Sequence, residues 1–238
     1  MKKVKLLAIL CLLVSVGRAQ KVIEKNLNYE GQFIEMNTAF AFEIDVKTWD
    51  KPNVYFKATL SSEYPELLEF YDVKISEGAD ELSIVSDTKA FFEAYNAKRK
   101  KEKKYWSSQE KKYWSHEYEF NYVLYVPKKA KFMIKSINGS VTSDEIEGDF
   151  EADLINGNIE IKSYSGNLKL NTINGEIDLK VGNASFTAET IHGDIYADES
   201  LKLTSDDRHV GQKVQSLSNG SSNKLKLNTI NGNMYLRL

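Results

Sequence analysis

The sequence predicts an all-β protein, a single-chain parallel β-solenoid with coils of about 18 residues behind a less regular N-terminal β region. Three observations carry this. Gly139, Gly148, Gly157, Gly166 and Gly175 fall nine residues apart, and Gly193 follows 18 beyond Gly175. Between the glycines apolar and polar residues alternate with period two, the mark of strands with one buried face. The octapeptide Leu168–Gly175 recurs residue for residue at Leu225–Gly232.

Residues 1–19 open on Met1-Lys2-Lys3-Val4-Lys5, continue through an apolar run from Leu6 to Val16, and end with Gly17 and Ala19 before Gln20. This is the pattern of a secretory signal peptide, too short for a spanning helix. The expected mature chain starts at Gln20, has no transmembrane segment and is exported, to the periplasm or the cell surface. Cys11 lies within the leader, so no disulfide, thiolate nucleophile or cysteine-based metal site is expected.

The whole chain has 238 residues, 42% of them hydrophobic, with 32 basic and 34 acidic residues and a formal charge of −2. Without Lys2, Lys3, Lys5 and Arg18 the balance is 28 basic to 34 acidic. An acidic exported chain of this kind argues against nucleic acid as a partner.

Residues 20–127 form the expected N-terminal β region. Phe40–Val46 and Val54–Ala58 are strands around a turn at Trp49–Asn53, with Leu82–Val85 and Tyr118–Val126 as later strands. No long helical period is read here, although Pro65–Phe70 could make a turn or two. A charged insertion covers 96–117: Lys98-Arg99-Lys100-Lys101-Glu102-Lys103-Lys104 precedes Tyr105-Trp106-Ser107, and Glu-Lys-Lys-Tyr-Trp-Ser recurs at 110–115.

Residues 128–238 hold the regular repeats. Read as nonamers from Ile137, the inward columns are Val141, Phe150, Ile159, Leu168, Ile177, Phe186, Ile195 and, two positions on, Ser143, Ala152, Ile161, Leu170, Leu179, Ala188, Ala197. The corners are Gly139, Gly148, Gly157, Gly166, Gly175, Gly193 and Gly232. Glycine suits a positive-φ turn, and an Asn beside it can bond its own backbone. An Asn-Gly pair also suits a hairpin, but inward columns that hold phase through seven units favour stacked coils over an antiparallel meander. Residues 204–223 read as a polar loop before the closing copy.

These residues resemble the bacterial putative-adhesin family of extracytoplasmic β-solenoid domains. The resemblance runs over nearly all of the mature chain. It rests on the Trp49-Asp50 turn, the Tyr125-Val126-Pro127 entry, and the Ser136–Gly139, Thr172–Gly175, Thr190–Ile195 and Thr229–Gly232 corners. Thr38–Phe42 departs from the family, where an early glycine corner is usual. The resemblance implies an adhesin-like binding role and brings no catalytic residues.

Among candidate sites the insertion stands out. Arg99, Tyr105, Trp106, Tyr113 and Trp114 combine cationic and aromatic groups that could hold an anionic glycan, rings on sugar faces and cations on carboxylates or sulfates. The same stretch also reads as a solvated loop or extended hairpin lying on the solenoid. A carbohydrate-cleaving enzyme would need paired carboxylates. Glu160 with Lys162 and Asp178 with Lys180 share one face, while Glu151, Asp153 and Glu189 share another, in ordinary solubilising positions. The corner Asp144, Glu145, Glu147, Asp149 matches no calcium loop. His116, His192 and His209 are scattered, and His192 stands where sister repeats have Asn. No metal, cofactor or catalytic group is expected. The predicted function is a non-enzymatic binding module at the cell envelope, its partner an anionic glycan or an envelope protein. The alternative is a periplasmic structural or signalling component that self-associates through an uncapped solenoid end.

Overall fold

Side chains that alternate between core and solvent commit most of this chain to strands. The computed structural model, which describes residues 20–103, 118–182, 184–206, 209–217 and 223–238, is accordingly all-β apart from one helix and a 3-10 turn. The first half contains β1 (Lys21–Asn28), β2 (Phe33–Trp49), β3 (Asn53–Ser62), the 3-10 turn (Pro65–Phe70), β4 (Asp72–Glu77), β5 (Glu81–Asp87), α1 (Lys89–Lys103) and β6 (Tyr118–Pro127). The second half contains β7 (Ala130–Ser143), β8 (Ile146–Asn156), β9 (Ile159–Ile161), β10 (Tyr164–Ser165), β11 (Leu168–Asn174), β12 (Ile177–Lys180), β13 (Ser185–Thr190) and β14 (Ile195–Ala197). It closes with β15 (Thr204–Asp206), β16 (Gln212–Ser216), β17 (Lys224–Asn231) and β18 (Met234–Arg237).

The large sheet is mixed, which corrects the expectation of a wholly parallel stack. In the first half β3 pairs antiparallel with β1 and β6, and β4 antiparallel with β5. The long β2 then bridges the halves, pairing parallel with β5 and β6 on one side and β7 on the other. From β7 to β12 successive coils pair parallel at an offset of 18 residues: Phe132 lies beside Phe150, Phe150 beside Leu168, and Ile159 beside Ile177. Phe132 and Phe150 stack with ring centroids 4.6 Å apart. The inward columns are buried as the period-two pattern predicts, from Val141 and Phe150 to Leu179 and Phe186, in one continuous core. Each such Leu, Ile or Phe contributes about 1.5–3 kcal/mol.

Residues 224–238 do not continue the stack at its end. β17 lies between β11 and β13, and β18 between β12 and β14, all parallel. The repeated octapeptide thereby stacks on its own copy, Leu168 on Leu225 through Thr172 on Thr229. Much of the polar segment 204–223 is likewise more than a loop. β16 runs antiparallel along the outer edge of β13, and β15 pairs with β16. Beside them Gln212 accepts a hydrogen bond from the Ile195 amide at 2.9 Å and donates to Asp194 at 3.0 Å. At this end of the stack β16 thus covers the outer edge of β13, while β15 pairs with β16 alone and β14 with β18 alone among the described residues.

The corners work differently from a simple turn rule. Gly157, Gly175, Gly193 and Gly232 are not at positive φ. A Cβ on any of them would lie 2.0 Å from the carbonyl oxygen of the neighbouring coil's corner glycine: Gly139, Gly157, Gly232 and Gly175 respectively. Glycine is needed there because backbones approach closely. Gly139 and Gly166 add a conformational requirement, with φ of 133° and 136°, to a similar close approach, where a Cβ would lie 2.4 Å from Ala41 and 2.1 Å from the Gly148 oxygen. In the first coil Ala41 takes the glycine slot, beside Gly139, where β2 shifts register between Phe40 and Glu43.

The other corner residues bond between coils. Asn156 donates to Asn138 at 3.0 Å, Asn174 to Asn156 at 2.8 Å and Asn231 to Asn174 at 2.7 Å. The buried Thr172, Thr229 and Thr190 hydroxyls donate to the Gly157, Gly175 and Gly232 carbonyls at 2.9–3.0 Å. The Asn side chains thus form a ladder, where self-capping of their own backbone was expected.

Candidate functional site

The insertion singled out in the sequence begins as helix. α1 follows Asp87, whose carboxylate accepts the Lys89 amide at 3.3 Å, and it buries Phe91, Tyr95 and Arg99, one residue per turn. This corrects the reading of 96–117 as loop or hairpin for its first eight residues. The rest, with Tyr105, Trp106, Tyr113 and Trp114, lies outside the described residues. Arg99 is only 8% exposed, packs over the Tyr95 ring and has its Nε 3.9 Å from Glu63. Tyr95 also donates to Glu63, and Lys98 pairs with Glu66 while lying 4.3 Å over Tyr64. Lys98 and Arg99 thus fasten α1 to the residues around the 3-10 turn, while Lys100 and Lys101 are exposed. Phe91, Phe92, Tyr118 and Phe120 continue this aromatic layer towards the sheet.

Deeper in the first half Tyr71 and Tyr122 share a hydrogen bond of 2.7 Å, and Tyr122 donates to the Phe40 carbonyl at 3.1 Å. Burial pushes the Tyr71 hydroxyl up to about 12 and raises Tyr122 as well. These hydroxyls belong to the core.

Several of the acidic groups weighed for catalysis have partners: Lys169 pairs with Glu151, and Asn171 donates to Asp153 at 2.5 Å. Glu160 and Asp178 are register neighbours on β9 and β12, and Asp178 is bonded by Arg237. Burial raises the Asp178 carboxyl, with Arg237 opposing. The same row continues through Tyr235 to Tyr196, whose rings stack at 5.4 Å. Lys162 bonds Asp144 at 2.8 Å and holds its carboxyl below the usual range. At the acidic corner Lys128 bonds Glu147 at 2.8 Å. Among the described residues no group of His, Cys, Asp or Glu could hold a metal ion.

A continuous outward face spans β7, β8, β11, β17 and β13. In-register pairing turns each outward position into a row across the stack. One row is Glu151, Lys169, Lys226, Thr187, and the next is Asp153, Asn171, Asn228, Glu189. Along one rim Ile137, Ile155, Ile173, Ile230 and Ile191 remain 37–44% exposed. Each stands two residues before a corner glycine and is the corner residue that the core does not enclose. A groove of about 410 Å³ runs beside four of them, walled opposite by Asp153, Asn171, Asn228 and Glu189. At the other rim a second groove of about 590 Å³ is lined by Phe33 and four lysines, among others. Sequence reasoning had no signal for this groove, because its walls come from segments as distant in the chain as Phe33 and Lys226, which only the stacking brings together.

No protein-family model matches the chain, and no curated protein matches it. Among solved structures it is similar to a putative cell adhesion protein from Clostridium sporogenes ATCC 15579, at 13% identity, covering 92% of this chain and 99% of that one, with a TM-score of 0.50. It is also similar to a putative adhesin from Bacteroides fragilis NCTC 9343, at 9% identity, covering 92% and 98% with a TM-score of 0.30. A putative lipid binding protein from Parabacteroides distasonis ATCC 8503 matches at 10% identity, covering 92% and 97% with a TM-score of 0.34. The chain thus shares its all-β fold with the Clostridium sporogenes protein.

Proposed function

We propose that this chain is an exported, non-enzymatic, adhesin-like β-solenoid that works as a binding module at the cell envelope. The observation that carries the reading is the broad outward face over β7, β8, β11, β17 and β13, where aligned rows of charged and amide side chains run between an exposed isoleucine rim and a lysine-lined groove. Such a rigid array presents binding groups without ordering them at the moment of contact. The leader at residues 1–19 supports export, and the fold shared with the Clostridium sporogenes protein supports the adhesin-like role. The partner class is an anionic glycan or an envelope protein.

Protease treatment of intact cells carrying a tagged copy, beside cells whose outer barrier has been opened, tests the reading. Digestion on intact cells places the module at the surface, as an adhesin requires. Protection until the barrier is opened puts it in the periplasm and replaces adhesion with binding to an envelope component. Retention in the cytoplasm with the leader uncut overturns export altogether.

A further inference from the structure

The groove at the β2 end of the outward face is cationic on an otherwise acidic protein. Its lining includes Lys131, Lys169, Lys224 and Lys226 against two carboxylates, Asp149 and Glu151. Both carboxylates are engaged: Glu151 by Lys169, and Asp149 by the Asn167 amide and side chain at 3.1 and 2.9 Å. Lys131, Lys224 and Lys226 are exposed and, among the described residues, have no carboxylate partner.

Register gathers these cations, with Lys169 also paired to Glu151 on its other side. Lys169 and Lys226 are direct neighbours on adjacent parallel strands, where like charges repel. Lys131 stands on β7 and Lys224 on β17, three strand spacings away across β8 and β11, or about 14 Å. Lys131 at one end and the Lys169, Lys224 and Lys226 group at the other thus face each other along the stacking direction with Asp149 and Glu151 between, which suits a linear anion crossing the strands with spaced charges better than one compact anion. Beside Lys131 lies Phe33, 37% exposed, a ring at the mouth of the groove. An apolar ring next to ammonium groups fits a sugar ring bearing a carboxylate: its C–H face on Phe33, its charge on lysine. The volume of about 590 Å³ is that of a small-molecule or oligomer site.

We propose that this groove is a subsite for a linear acidic glycan of the polyuronate class, with Lys131, Lys224 and Lys226 as its charge contacts and Phe33 as its ring platform. The proposal rests on the binding-module reading and adds to it the ligand class and the residues. The three lysines come from β7 and β17, so residues 224–238 complete the site as well as the stack.

Calorimetric titration of residues 20–238 with oligogalacturonate tests it, beside neutral and sulfated oligosaccharides, inorganic phosphate and anionic lipid vesicles. The expected result is binding of the uronate oligomer that weakens with salt, falls about tenfold or more in K131Q/K224Q/K226Q, and falls several-fold in Phe33→Ala. All four side chains are outward, so the variants should keep the wild-type Tm, and a Lys98→Gln variant should bind as wild type. Uronate binding that survives the triple substitution overturns the groove as its site and leaves the module reading intact. Binding only of a neutral glycan, phosphate or vesicles overturns the ligand class alone. A panel silent throughout, together with protection from protease on intact cells, removes this inference and the surface-adhesin reading together.

Discussion

Replacing Gly175 by alanine isolates what the corner glycines do. Gly175 is not at positive φ, so the alanine backbone is unstrained and the cost is purely lateral. The new Cβ would sit 2.0 Å from the Gly157 oxygen and 2.9 Å from the Thr172 hydroxyl, against an ordinary separation well above 3 Å. The coils must part by more than an ångström. That weakens the Thr172–Gly157 bond at 2.9 Å and the Gly157–Asn174 backbone bond at 3.1 Å. Overpacking at about 1–3 kcal/mol and two bonds at about 1 kcal/mol each give a loss of about 3–5 kcal/mol, or a Tm lower by roughly 10 °C. Gly182 is the control: φ is 53° and a methyl group added there would meet nothing within 4 Å, so Gly182→Ala should cost only the left-handed penalty of about 1–2 kcal/mol. Asparagine, which tolerates that region, should recover part of the loss at 182 and none at 175. Urea unfolding of the four variants measures all of this. A Gly175→Ala protein no less stable than Gly182→Ala would refute close approach as the reason for the repeat.

Three further outcomes follow from the same geometry. Asn174→Ala removes two ladder bonds, of 2.8 and 2.7 Å, at an exposed position and should cost about 1 kcal/mol in urea unfolding. A chain ending at residue 223 leaves β11, β12, β13 and β14 each without a neighbour, so its thermal transition should broaden and drop, and a synthetic peptide of residues 224–238 added in trans should restore it; an unchanged Tm would contradict the inserted position. The Tyr71 hydroxyl, about 10 unfolded and pushed up to about 12 by burial, binds its proton more tightly in the fold. Its contribution is therefore fully present below pH 10 and drains away as pH rises towards 12, on the order of 2 kcal/mol, an effect that Tyr71→Phe should diminish in alkaline unfolding.

The stacking of β7, β8 and β11 is legible in the glycine spacing and in the alternation of residues such as Phe150, Leu168 and Ile177, because both report a local period. The place of residues 224–238 is not. Identity with Leu168–Gly175 says that the two segments are equivalent, not which coil lies beside which. The helix at Lys89–Lys103 escaped for another reason: its buried stripe is Phe91, Tyr95 and Arg99, and an arginine in a run of lysines reads as solvent-facing until Glu63 is seen beneath it. The lysine groove could not be found by motif at all. Lys131 and Lys224 are 93 positions apart in the chain and only about three strand spacings apart in the fold.

The inserted coil also sets the order in which this molecule can fold. Pairings from β7 to β12 span 18 residues and can zip up locally, each finished coil serving as the edge for the next. β13 and β14 have no such edge when they form, since their neighbours β17 and β18 lie some 39 residues further along. Closure of that loop must precede the gain from pairing, which makes it the slow, non-local step of an otherwise sequential process. Until it occurs, two half-built surfaces face each other across a gap one coil wide, and a refolding experiment should find them as the species that accumulates.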